Sequence, residues 1–223
     1  MNRPPPPEIV VAGYLGVDLT PGFPPGRPAV PFPGLFRPGS LVEVSGLQVA
    51  LGGAVANTGL ALKTFGRRVA LSGLIGADWL GDFVERRLAA EGLAAGLRRS
   101  PAAGTGYGLV LAPPGSDRMF FEDPGCNARF GAECVDFEAL AGCRIFHFGY
   151  PTLMERMYRD GGRELRELLS AARAHGAATS LDMTLPDPSS AAGRADWAAI
   201  LDAVLPMTDL FLPSLEELIF LMT

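Results

Sequence analysis

Short apolar runs bounded by glycine, proline or polar residues recur along this chain, and between several of them lie stretches with apolar residues spaced three or four apart. The first pattern predicts buried strands and the second amphipathic helices. Residues 8–13, Glu-Ile-Val-Val-Ala-Gly, read as a strand closed by a glycine turn, with Asp18 just beyond its C-terminal end. Residues 54–65 predict a helix with Leu60, Ala61 and Phe65 on one face and Gly66 as its terminating glycine. Residues 69–75 then predict a strand and 79–91 a helix. The alternation resumes with a strand over 144–149, a long helix over 153–175 whose outer face is rich in Arg and Glu, and a strand over 177–182. A helix over 196–205, a strand over 209–212 and a final apolar helix opened by Ser214 follow.

Two regions interrupt this rhythm. Residues 20–38 hold Pro21, Pro24, Pro25, Pro28, Pro31, Pro33 and Pro38, which predict an irregular loop at a rim or lid. Residues 40–44 and 46–51 are strand-like, and 105–111 with 118–122 flank Pro113-Pro114-Gly115-Ser116-Asp117 as the arms of a hairpin. Alternating strands and helices with near-continuous apolar strands imply a parallel sheet covered on both faces. Ligands of such sheets bind outside the C-terminal strand ends, where Asp18, Asp182 and the helix after Gly52-Gly53 are expected.

Composition narrows the function classes. The 223 residues carry 19 basic and 24 acidic side chains, a formal charge of −5, which argues against nucleic acid as a partner. Residues 49–62 form the best apolar run, and Gly52, Gly53, Asn57 and Gly59 interrupt it, so no membrane partner is expected. The start, with Pro4 to Pro7, reads as an extended lead-in without a secretory apolar segment, and the expected location is cytoplasmic. Cys126, Cys134 and Cys143 are odd in number and lack metal-ligand spacing, which predicts reduced core or loop residues.

Among motifs, Gly13-Tyr14-Leu15-Gly16 fails the dinucleotide fingerprint because prolines follow it, and no Gly-x-x-x-x-Gly-Lys phosphate loop is present. Gly52-Gly53-Ala54-Val55-Ala56-Asn57 is more informative. Two glycines at a helix entrance let a ligand approach backbone N–H groups, and Asn57, one turn inside, offers both a donor and an acceptor. Taken with Asp18, the Gly76-Ala77-Asp78-Trp79-Leu80-Gly81 turn, Gly125-Cys126-Asn127 and Pro213-Ser214-Leu215-Glu216-Glu217, the chain resembles the ribokinase-like (PfkB-type) carbohydrate kinase family.

That resemblance implies a three-layer αβα, Rossmann-like sandwich with a small β lid formed by insertions about 35–52 and 104–123, on a domain running over 8–223. It implies ATP-dependent phosphorylation of a sugar or nucleoside hydroxyl, with Mg2+ and with pairing of lids into a homodimer. Asp18 matches the family acid that accepts hydrogen bonds from substrate hydroxyls, and Gly52, Gly53 and Asn57 match its sugar-contacting residues. Glu217 matches a glutamate near magnesium and phosphate. Ser214 stands there for the family's asparagine and forms, with Glu217, an ordinary capping-box pattern as well. Asp182 occupies a loop where the family often has an acid. His147 reads as a hydrogen-bonded core histidine, and His175 as a helix C-terminal residue.

The family's Gly-Ala-Gly-Asp element, which supplies the anion hole and the base, has no counterpart in the 223 residues. The sequence therefore reads as a carbohydrate kinase whose C-terminal part is missing, inactive in phosphoryl transfer by itself. The alternative is a noncatalytic sugar-binding or regulatory module.

Overall fold

The structure, a computed structural model, describes residues 5–29 and 31–222. Along the chain, β1 (Ile9–Gly13) leads into β2 (Gly16–Pro21), a one-turn helix α1 (Phe32–Leu35), β3 (Leu47–Gly52), α2 (Gly53–Thr64), β4 (Val69–Gly76), α3 (Trp79–Ala90) and β5 (Leu97–Ser100). Next come β6 (Gly106–Leu111), β7 (Met119–Asp123), three 3-10 turns and β8 (Ile145–Gly149). The remainder holds α4 (Glu155–Tyr158), α5 (Arg163–Ala174), β9 (Ala178–Asp182), α6 (Trp197–Val204), β10 (Leu210–Leu212) and α7 (Leu215–Met222).

Six strands form a parallel sheet in the order β10-β9-β8-β1-β4-β5. All five residues of β1 are buried because both faces of the sheet are covered. Val10 and Ala12 pack with Phe146, Phe148, Leu165 and Leu201 beneath α5 and α6. Ile9 and Val11 point to the opposite core, among Val55, Leu71, Val84 and Leu88 beneath α2 and α3. This two-residue alternation builds three αβα layers from one strand sequence. A second sheet, in the order β3-β2-β6-β7, is antiparallel except where β2 runs parallel to β6.

Several expectations need correction. Asp18 lies within β2 of the second sheet, not on a loop after β1. The proline-rich stretch admits α1, because proline is compatible with a helix's first turn. Residues 40–44 pair with no strand; the chain is anchored instead by Ser45 N donating to Gly22 O at 2.8 Å. β5 went unread because its four residues carry Arg98 and Arg99 in the middle. The long helix over 153–175 is broken: Asp160, Gly161 and Gly162 have φ of 51°, 65° and 72°, and α5 starts afresh at Arg163. A Cβ on Gly162 would lie 2.7 Å from Ile200 Cγ2, so the break also lets α6 pack close.

Candidate functional site

The chain lays β4 and β5 to one side of β1 and β8 to β10 to the other, so the topological switch point lies between the C-terminal ends of β1 and β8. Gly13 and Gly149 face each other there. Gly13 has φ 124°, and a Cβ on it would strike the Gly149 carbonyl. Tyr14 N donates to that carbonyl at 3.1 Å. Helix α2 begins hard against the same point: Val55 N donates to Tyr14 O at 3.1 Å, and Gly53 has φ 85° with Tyr14 O only 2.5 Å from where its Cβ would be. A Cβ on Gly149 would collide with that of Ala54. Glycine at these positions is what allows strand ends and helix start to meet.

Asp18 stands in register with Ala50 of β3 and Gly108 of β6. Its carboxylate is half-buried and has no hydrogen-bond or ion-pair partner among the described residues, and burial holds its carboxyl above the usual range. A Cβ on Gly52 would fall on that carboxylate, which ties the glycine to the acid. The buried Tyr14 donates its hydroxyl to Glu122 Oε1. Burial raises both Tyr14 and Glu122, and the charge of Asp18 adds to the rise in each. Glu122 is in register with Gly108, where an added Cβ would lie 2.5 Å from Glu122 Oε2 and 3.4 Å from Asp18 Oδ1. Asp18 and Glu122 thus share one face of the second sheet, over a glycine.

Asp182 ends β9 in register with Gly149. Burial, reinforced by the charge of Glu217, pushes its carboxyl up to about 6. Tyr150, in the left-handed region at φ 65°, donates its N–H to Asp182 O at 3.0 Å. Its phenol is raised by burial and then by the charges of Asp182, Glu217 and Asp18. Tyr150 also lies 6.5 Å from the Tyr14 ring, centroid to centroid. The tyrosine pair therefore lies within reach of the charges of Asp18, Asp182 and Glu217, with Gly53 against Tyr14 and Gly52 against Asp18. Ser214 and Glu217 form a reciprocal cap, Ser214 N donating to Glu217 Oε2 at 2.6 Å and Glu217 N to Ser214 Oγ at 3.2 Å. Asn57 is exposed on α2.

Tyr14, Tyr150 and Glu122 escaped sequence reasoning. The readable signal was an aromatic residue directly after the glycine ending each central strand, Gly13-Tyr14 and Gly149-Tyr150. Two motifs have structural duties. Asn127, fully buried, accepts from Leu15 N at 3.0 Å and donates to Leu15 O at 2.9 Å, locking the entry to β2. Asp78 caps α3 through Gly81 N at 2.8 Å and accepts from Thr105 N and Oγ1, both at 2.7 Å. His147 departs from expectation: its Nδ1 lies 3.0 Å from Ser180 Oγ, but Nε2 is buried without a partner. His175 does cap its helix, Nδ1 lying 2.8 Å from Ala171 O. The three cysteines are buried and free.

A cleft of about 810 Å3 opens between β7 and the loops after β8 and β9, lined by Tyr107, Phe120, Glu122, Leu153, Tyr158 and Leu185 among others. Asp18, Gly52, Gly53 and Asn57 are not in its wall; Glu122 joins that cleft to the Asp18 group. No cluster of three or more His, Cys, Asp or Glu able to enclose a metal occurs among the described residues. Asp182 and Glu217 lie near enough for the Glu217 charge to act on Asp182, and Glu217 Oε2 accepts from Ser214 N.

A three-layer sandwich around a six-stranded parallel sheet, with a second four-stranded sheet, defines an α/β protein. The chain belongs to the pfkB family of carbohydrate kinases, whose sequence profile matches residues 28–223. It is 26% identical over 185 residues to probable fructokinase-4 of Arabidopsis thaliana, covering 82% of this chain and 56% of that protein. To the fructokinase of Solanum tuberosum it is 27% identical over 152 residues, covering 67% and 47% respectively. The chain thus spans about half the length of these relatives. Among solved structures, the fructokinase with bound ATP from Xylella fastidiosa superposes with TM-score 0.73 at 22% identity, covering 96% of this chain and 64% of that one. The ribokinase of Arabidopsis thaliana complexed with ribose and ATP gives 0.71 at 17%, covering 97% and 62%. No described helix is long and apolar enough to cross a membrane.

Proposed function

We propose that this chain carries the sugar-binding part of an ATP-dependent carbohydrate kinase. The observation that carries this reading is the Asp18 carboxylate, unpartnered and half-buried against Gly52 at the edge of the switch point, in a chain of the pfkB family. A carboxylate without protein donors accepts two hydroxyl hydrogen bonds from one sugar, and such charge-assisted bonds are strong. Asn57 adds a donor and acceptor, and Gly52-Gly53 bring the start of the helix close to the Asp18 carboxylate. The second sheet acts as a lid that excludes water from the bound hydroxyl. Asp182 and Glu217 would hold Mg2+ through its waters; bound ATP supplies the phosphoryl group. The nucleotide's other contacts and the base that takes the hydroxyl proton have no candidate in these 223 residues, so the reading assigns the chain alone no phosphoryl transfer.

Fructose is the first sugar to test, since the curated relatives are fructokinases. Titration calorimetry is expected to show Asp18→Ala and Asn57→Ala each weakening sugar binding about tenfold or more, with melting unchanged. Equal affinity in wild type and both variants would remove the assigned site. Sugar-dependent ADP formation by the 223-residue chain would contradict the missing-base account. Lid pairing into a homodimer is part of the same proposal. It is supported by edge strands β3 and β7, where Leu47, Phe120 and Phe121 are exposed.

A further inference from the structure

We infer that Glu122 sets the charge class of the sugar, admitting neutral and amino-substituted sugars and turning away sugar acids and sugar phosphates. The inference rests on the reading of the Asp18 edge as the sugar site. Within that site Glu122 has a position no other side chain shares. It lines the 810 Å3 cleft, and its Oε2 also lies over Gly108, beside the Asp18 carboxylate. A Cβ at residue 108 would strike Glu122 Oε2, so glycine is what lets the Glu122 carboxylate lie over this strand next to Asp18. Tyr14 donates to the other oxygen of Glu122 and so orients a carboxylate that is otherwise exposed.

The surrounding charges are of one sign. The charges acting on Tyr14 and Glu122 come from Asp18, Asp123 and Glu122 itself, and those on Tyr150 from Asp182, Glu217 and Asp18. No ion pair joins Asp18, Glu122, Asp123 or Asp182 to a Lys or Arg among the described residues. A carboxylate or phosphate on the sugar would enter beside two unneutralised acids, the half-buried Asp18 and the exposed Glu122, where like-charge repulsion disfavours it. A hydroxyl can donate to both acids. An ammonium does so with three donors and opposite charge, which is the best match to the pair.

The test is titration of the 223-residue chain with fructose, glucosamine, gluconate and fructose 6-phosphate, using wild type, Glu122→Gln, Glu122→Arg and Asp18→Ala. Glu122→Gln keeps an acceptor for Tyr14 and preserves the edge strand, so it isolates charge. The expected result is that Glu122→Gln narrows the gap between neutral and anionic sugars by about tenfold, and that Glu122→Arg reverses it. The difference should shrink as salt is raised. Unchanged affinity ratios in both Glu122 variants, with Asp18→Ala still abolishing binding, would overturn the role of Glu122 and leave the sugar site standing. Sugar binding by wild type that Asp18→Ala leaves intact, or no binding of any of the four ligands, would overturn the site itself and this inference with it.

Discussion

Burial shifts the titration of Asp182 and of His147 toward the neutral form, and the two effects on stability run in opposite directions with pH. Burial and Glu217 raise Asp182 from 3.8 to about 6. Its favourable, protonated contribution is complete below 3.8 and is lost as pH rises through 6. Asp182→Asn keeps the acceptor for Met183 N and should stabilise the chain by about 1–2 kcal/mol at pH 7.5, after discounting for partial exposure. Melts at pH 4 and 7.5 check this: a variant no more stable at pH 7.5 would contradict the burial argument. His147 is lowered from 6.5 to about 4 by burial. Its neutral form is stabilising above 6.5, and about 2–3 kcal/mol is lost as pH falls from 6.5 to 4. Comparing wild type with His147→Asn separates the two groups, because the Asp182 share cancels in the difference curve and only the histidine's remains. These residues show the limits of local reading. Asp18 and Asp182 could be nominated from their places after apolar strands, yet the partnerless Nε2 and the carboxylate pair over Gly108 involve residues distant in sequence.

The elements are joined at a few points that a single atom can disturb. Asp78 links the start of α3 to the start of β6, and although burial works against its ionised form, the Gly81 and Thr105 hydrogen bonds together hold its carboxyl below the usual range. Asp78→Ala should cost about 2–3 kcal/mol, since a cap and a tie between sheets go together. Gly149→Ala would place a methyl on Ala54 and push α2 off the switch point. It should destabilise the fold by about 1–3 kcal/mol and weaken sugar binding, measured by urea titration and calorimetry. Wild-type stability in this variant would mean that α2 shifts freely. Most strands and helices were legible because period-two and period-3.6 patterns survive in any α/β core. The break at Asp160-Gly161-Gly162 was not, because Arg and Glu periodicity continued across it while Ile200 of α6 demanded the space.

On the scale of the whole molecule, apolar residues are exposed at several places, two of them sheet edges. One is β7, where Phe120 and Phe121 are exposed; the other is the β10 edge with α7, where Leu210, Leu212, Leu215 and Met222 are 48%, 52%, 72% and 59% exposed. Contiguous apolar surface of this kind drives association. Light scattering over a concentration series should show the 223-residue chain self-associating, and Leu212→Lys with Leu215→Lys reducing it. A monomer at every concentration would count against the prediction. Hydrophobic periodicity alone was sufficient for the parallel α/β class, because it depends on local spacing, and the order of the short motifs along the chain was sufficient for the family. Folding decided that Asp18 sits on a strand beside Glu122, that Tyr14 and Tyr150 meet, and that Asp182 and Glu217 share one edge. Register and strand order put such residues together, and both are settled by how two sheets and their helices bury one another, which no stretch of chain encodes by itself.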